Sequence, residues 1–167
     1  MLESNLRGDI DSMSIPDKKE RLRKIIEGKS LLQGKEFSLA SGATSSYYFN
    51  MKATTFDPEG ADLIADLILD ALEAYDVQTV GGLEMGAVPI ASCVSLKSFS
   101  RDRSLPGFFV RKETKSHGTK ALIEPPLAPG TKVAIMEDVT TTGGSAIKAA
   151  RALKDAQCEV VVIVTLV

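Results

Sequence analysis

The sequence predicts an α/β fold with a central parallel sheet flanked by helices, and three observations predict it. Apolar runs near 78–82, 107–110, 132–136 and 160–167 alternate with stretches of helical periodicity. The run Val133-Ala-Ile-Met136 leads through a polar loop into a helical pattern, the strand–loop–helix layout in which α/β proteins bind phosphorylated ligands. The chain has 167 residues with no internal repeat or low-complexity stretch, which suits one domain with a single sizeable core.

Taken in order, residues 1–15 are mixed and aperiodic and read as a loosely held tail, with one domain over 16–167. Ser14-Ile15-Pro16-Asp17 opens a charged helix over about 17–28, with Leu22, Ile25 and Ile26 on one face. Its charge run from Lys18 to Lys24 reads as a solvated face. Ser46-Tyr-Tyr-Phe-Asn-Met51 reads as a strand. Asp57-Pro58-Glu59 is a helix start: a capping carboxylate, proline in the first turn, then an acid at the positive end. That helix runs to about Tyr75, with Leu63, Ile64, Leu67, Ile68, Ala71 and Leu72 as its core stripe. A strand at about 78–82 ends in the glycine-flanked turn Glu84-Met85-Gly86-Ala87, and a helix follows to about Lys97. Phe108-Phe-Val110 is a short strand entering a basic segment with Arg111, Lys112, Lys115 and the single histidine, His117.

Composition excludes several function classes. Twenty basic residues against 22 acidic give a net charge of -2, which leaves no electrostatic footprint for nucleic acid. Cys93 and Cys158 are too few for a disulfide framework or a zinc site, and their apolar surroundings read as reduced core thiols of a cytoplasmic protein. No apolar run is long enough to span a bilayer, and no signal-peptide pattern is present, so neither membrane insertion nor secretion is indicated.

The chemistry concentrates in Val133-Ala-Ile-Met-Glu-Asp-Val-Thr-Thr-Thr-Gly-Gly-Ser145. Gly143 and Gly144 let the backbone close around a phosphate, hydroxyls add donors, and the following helix contributes roughly half a positive charge at its N-terminus. A Walker A loop is excluded because no lysine follows Gly144, and Arg23 stands where Gly28-Lys29-Ser30 would need its first glycine. The dinucleotide fingerprint G-x-G-x-x-G is absent from this turn. What remains is a carboxylate pair, Glu137 and Asp138, beside a phosphate cradle. That pairing suits a sugar phosphate, because carboxylates accept hydrogen bonds from vicinal ribose hydroxyls.

This run closely resembles the phosphoribosyl-diphosphate (PRPP) signature of the type I phosphoribosyltransferases. Arg111-Lys-Glu-x-Lys-x-His-Gly118 resembles the signature of the orotate-specific branch of that family, and Phe37-Ser-Leu-Ala-Ser-Gly42 with Ser46-Tyr-Tyr-Phe-Asn50 is similar to its N-terminal hood. The resemblance implies a hood over about 31–56 on a type I core, and transfer of the phosphoribosyl group of PRPP to orotate, giving orotidine 5′-monophosphate and diphosphate. It implies that Glu137 and Asp138 grip the ribose, that Val139, Thr140, Thr141, Thr142, Gly143, Gly144 and Ser145 hold the 5′-phosphate, and that Thr141 also contacts orotate. Glu84, Met85, Gly86 and Ala87 would receive the diphosphate. Arg111, Lys112, Lys115 and His117 would meet the departing diphosphate with positive charge or donors. Lys115, Asp138 and Glu137 would then be the catalytic residues, with Lys115 contributing most. Mg2+ would arrive with PRPP and need no dedicated protein cage. The family's basic loop acts across subunits, which implies a symmetric homodimer.

Three departures from the family pattern stand out. Ala40 occupies a hood position where many orotate enzymes have lysine, and Glu84-Met85-Gly86 lacks the lysine some members carry there. The sequence closes on Val160-Val-Val-Ile-Val-Thr-Leu-Val167, where the family continues with an Asp-Arg pair whose arginine binds the orotate carboxylate; the expectation is a domain lacking the family's C-terminal end. A purine phosphoribosyltransferase would share the 133–145 run but not the 111–118 signature. A non-catalytic PRPP-binding or regulatory protein would bind PRPP without releasing diphosphate.

Overall fold

The computed structural model describes residues 10–38, 42, 44–113 and 121–167. Helix α1 (Ile15–Lys29) starts as its sequence dictates: the Ser14 hydroxyl accepts from the Asp17 amide at 3.3 Å, and Pro16 occupies the first turn, where a missing N–H costs nothing. An antiparallel hairpin of β1 (Leu31–Ser38) and β2 (Thr44–Phe49) follows, then a single turn, α2 (Lys52–Thr55). Helix α3 (Pro58–Ala71) is capped by the Asp57 carboxylate, which accepts from the Gly60 amide at 3.0 Å, and tightens into a 3-10 turn over Leu72–Ala74. Next come β3 (Thr79–Leu83), α4 (Ala87–Ser100), β4 (Gly107–Val110), β5 (Ile123–Glu124), β6 (Lys132–Glu137), α5 (Gly144–Asp155) and β7 (Glu159–Thr165).

The main sheet has the order β5-β4-β3-β6-β7, with β4, β3, β6 and β7 parallel and only the edge strand β5 antiparallel. Strand β6 shows why this sheet is covered on both faces. Val133 and Ile135 pack with Ala149 and Leu153 of α5, whereas Ala134 and Met136 pack into the larger cluster holding Leu63, Ile64, Ile90 and Val94 of α3 and α4. A strand buried on both sides must read as a continuous apolar run, and Val133–Met136 does.

Two expectations change. Residues 1–9 of the expected tail lie outside the described residues, but Ile10 is buried in the core cluster rather than loosely held. Lys18, assigned to a solvated face, is buried instead: its ammonium lies 2.5 Å from Asp66, which is 1 % exposed. Asp66 also faces Lys97 at 3.1 Å and binds Arg101, so one carboxylate ties α1, α3 and α4 together. A run of alternating charges does not reveal which member turns inward, because that depends on a partner 48 residues away.

Candidate active site

Strands β3 and β6 are adjacent and parallel, so the turns after them open at the same end of the sheet. There a cleft of about 480 Å³ lies between those turns and the hairpin. Glu84, Met85 and Gly86 line it from the first turn; Glu137, Asp138, Val139, Thr140, Thr141 and Ser145 line it from the second. Ser45, Tyr47, Tyr48, Phe49 and Lys52 close it from the hairpin and α2, and Lys112 enters from beyond β4. Ligands of open α/β sheets bind in this position, outside the carboxyl ends of the strands.

Glu137 is the last residue of β6 and only 8 % exposed. Burial, then the adjacent Asp138 charge and the hydrogen bond between the two carboxyls, push its pKa up to about 7. Asp138 is fixed by its own loop: Oδ1 accepts from the Val139 amide at 2.9 Å. It is also packed against the first turn, since a Cβ on Gly86 would lie 2.4 Å from Oδ1. Gly143 takes φ +73° as it caps α5, a conformation glycine adopts without strain. Ser145, in the first turn of the 12-residue helix that follows, lines the cleft, and a helix N-terminus favours an anion.

The sequence-predicted residues thus divide. The acid pair, Thr140, Thr141, Ser145, Val139, Lys112 and the 84–86 turn share one cleft. The Thr140 amide donates to the Val167 carbonyl at 2.8 Å, leaving its hydroxyl as its free donor. Thr142 and Gly144 sit exposed at the loop and helix start, and Ala87 turns its side chain into the core. Arg111 stacks over Phe109, with 5.3 Å from Cζ to the ring centroid, and forms a two-point ion pair with Glu124 at 2.9 and 3.0 Å. Lys115 and His117, like Ala40 of the hood, lie outside the described residues. Lys52 was missed: it is a cation on the cleft wall, brought there by the hairpin, and no motif around it announces that placement. Among the described residues no cluster of three or more His, Cys, Asp or Glu side chains could hold a metal by itself.

The family model for the phosphoribosyl transferase domain matches residues 54–167. An orotate phosphoribosyltransferase of Rhodopseudomonas palustris (strain BisB5) is 47% identical over 160 residues, covering 93% of this chain and 84% of the relative. The chain belongs to the orotate phosphoribosyltransferase family. Its fold agrees: a phosphoribosyltransferase from Corynebacterium diphtheriae superposes with a TM-score of 0.76 at 34% identity, over 89% of this chain and 82% of the other. The Mycobacterium tuberculosis H37Rv orotate phosphoribosyltransferase in complex with PRPP gives a TM-score of 0.72 at 30% identity, over 89% and 81%. The mostly parallel sheet flanked by helices is therefore that of a type I phosphoribosyltransferase. No helix among the described residues is long and apolar enough to cross a membrane.

Proposed function

We propose that this chain transfers the 5-phosphoribosyl group of PRPP to orotate, forming orotidine 5′-monophosphate and diphosphate in pyrimidine nucleotide synthesis. The observation that carries the reading is the meeting, in one cleft, of the acid pair Glu137–Asp138, the loop leading to Ser145 and the turn at 84–86. The C1–oxygen bond to diphosphate breaks with its electrons on the leaving group, while a ring nitrogen of orotate bonds C1 and loses its proton to solvent. Ribose C1 becomes electron-poor in between, so ionised carboxylates along the ribose edge and cations at the diphosphate both favour the transition state. Lys112 and Lys52 supply cations on the described cleft wall, and Lys115, Arg111 and His117 belong to the same basic segment. Thr141 is the proposed orotate contact. The acid pair offers hard oxygen donors of the kind Mg2+ prefers, so a Mg2+ ion carried in by PRPP would be held there beside substrate oxygens and would neutralise phosphate charge.

The working unit in this reading is a cytoplasmic homodimer, with Lys112 serving its own cleft and the rest of the basic segment, Lys115 and His117 included, serving the neighbouring subunit. Leu96 and Phe99 of α4, 75 % and 80 % exposed, offer apolar surface for such an association, which light scattering measures directly. Two free thiols suit a reducing compartment. The test of function is to supply PRPP, Mg2+ and either orotate or a purine base, and to follow diphosphate release. Release with orotate alone supports the reading; release only with a purine base overturns it in favour of a purine enzyme. Calorimetric PRPP binding without release from either base would make the chain a PRPP-binding regulator.

A further inference from the structure

The start of the basic segment is held at one residue from two sides. The ladder between β3 and β4 ends where the Glu84 amide donates to the Val110 carbonyl at 2.8 Å. Beyond that rung the Lys112 amide is met by a side chain, donating to Glu84 Oε1 at 2.9 Å. On its other side the Lys112 carbonyl accepts from Nζ of Lys148, which stands on the second turn of α5. One residue thus bridges the turn after β3 and the helix that follows the acid-pair loop, and that residue, Lys112, lines the cleft.

Lys148 belongs to no motif in the sequence, and its side chain is solvent-exposed on α5. An exposed lysine loses side-chain entropy when held at one carbonyl, so a surface role alone gives it little reason to be there. We propose that Lys148, together with Glu84, is a positioning residue for the transfer reaction: it fixes the Lys112 backbone so that the Lys112 side chain is presented to the diphosphate end of PRPP. This rests on the reading above that the cleft takes PRPP. The bond geometry matters because a carbonyl has no charge of its own to attract a distant ammonium; the contact requires the helix and the segment to be in register. It also joins the two turns that would hold opposite ends of the same substrate.

The experiment compares Lys148→Met and Lys148→Arg with the wild type, using PRPP, Mg2+ and orotate. Methionine keeps the length and packing but cannot donate, whereas arginine still can. The expected result for Lys148→Met is a rise of roughly three- to tenfold in the KM for PRPP, with the KM for orotate and the melting temperature unchanged, and substantial recovery in Lys148→Arg. In a double-mutant cycle, Glu84→Ala and Lys148→Met are expected to combine non-additively, since both act on Lys112. Wild-type PRPP kinetics in Lys148→Met, equal losses in the Met and Arg variants, or strict additivity with Glu84→Ala would overturn the assignment. A wild-type protein that neither binds PRPP nor turns over would instead remove the reading on which it rests.

Discussion

Gly86 and Asp138 stand so close that a methyl group on the first would overlap the carboxylate of the second: its contacts to Oδ1, Cγ and Oδ2 would be 2.4, 2.6 and 2.9 Å. The backbone at Gly86 is αR, so alanine meets no conformational penalty there, and the whole effect of substitution falls on Asp138. Asp138 cannot easily yield, because its Oδ1 is held by the Val139 amide. Gly86→Ala should therefore lower kcat/KM for PRPP roughly five- to hundredfold, in line with the ~1–3 kcal/mol typical of overpacking, while leaving circular dichroism unchanged. Wild-type kinetics in that variant would show that the acid's position is unimportant.

Glu137 gives the site a proton switch near neutral pH. Its pKa is pushed from 4.5 to about 7, by burial first and then by the charge and hydrogen bond of Asp138. A carboxyl raised in this way stabilises the fold fully below pH 4.5 and loses that contribution as pH rises through about 7. The ligand acts in the opposite sense, because ribose hydroxyls donate best to an ionised carboxylate. PRPP affinity is expected to rise as pH passes upward through about 7, with proton release on binding when calorimetry is run in buffers of different ionisation enthalpy. Phosphate groups of PRPP also titrate, so the comparison is with Glu137→Gln, in which the proton released by the protein should vanish. An identical proton count in both proteins would contradict this assignment.

The centre of the sheet was legible because β3 and β6 are buried on both faces: Val133–Met136 has no polar residue to confuse its reading, and β6 lies where the apolar run does. The acid-pair turn was legible as a strand–loop–helix junction, since the apolar run ends in two carboxylates and the hydroxyls and glycines that follow lead into a helical pattern. Relationships between distant segments were not legible. Gly86 reads as a turn residue until Asp138 is seen beside it, and Arg111 reads as a free cation until Glu124 is found paired with it. Lys52 and Lys148 carry no local signature, and only the packing of the hairpin and α5 brings them to the cleft and to Lys112.

Lys115 belongs to the basic segment that continues from Lys112, and the proposed chemistry needs a cation where charge accumulates on departing diphosphate. Removing a donor that acts mainly in the transition state typically costs ~2.7–4 kcal/mol of barrier. Lys115→Ala is accordingly expected to lower kcat about a hundredfold to a thousandfold with a smaller change in PRPP binding. Pre-steady-state measurement of diphosphate formation separates this from slowed product release. Near-normal turnover would mean that another cation, Lys112 or Lys52 on the cleft wall, performs the task.

Asp66 offers the sharpest test of what holds the scaffold under the site. Burial alone would raise its pKa, but hydrogen bonds from Lys18, Lys97 and Arg101 outweigh it and hold the carboxyl below the ordinary value of 3.8. Its stabilising contribution is thus present above pH 3.8 and is lost as pH falls through the depressed folded value. Asp66→Asn keeps the shape but strips the negative charge from the centre of the cluster, leaving Lys18 buried with no other ion pair among the described residues. Breaking a buried pair from one side costs ~3–5 kcal/mol, so the variant should shift the urea midpoint markedly at pH 7 and much less in acid. Lys18→Met should be milder, because it removes a buried charge instead of isolating one, and Asp66 retains Lys97 and Arg101. Equal losses from both substitutions would mean that packing at this junction, and not its charge arrangement, joins α1 to the core.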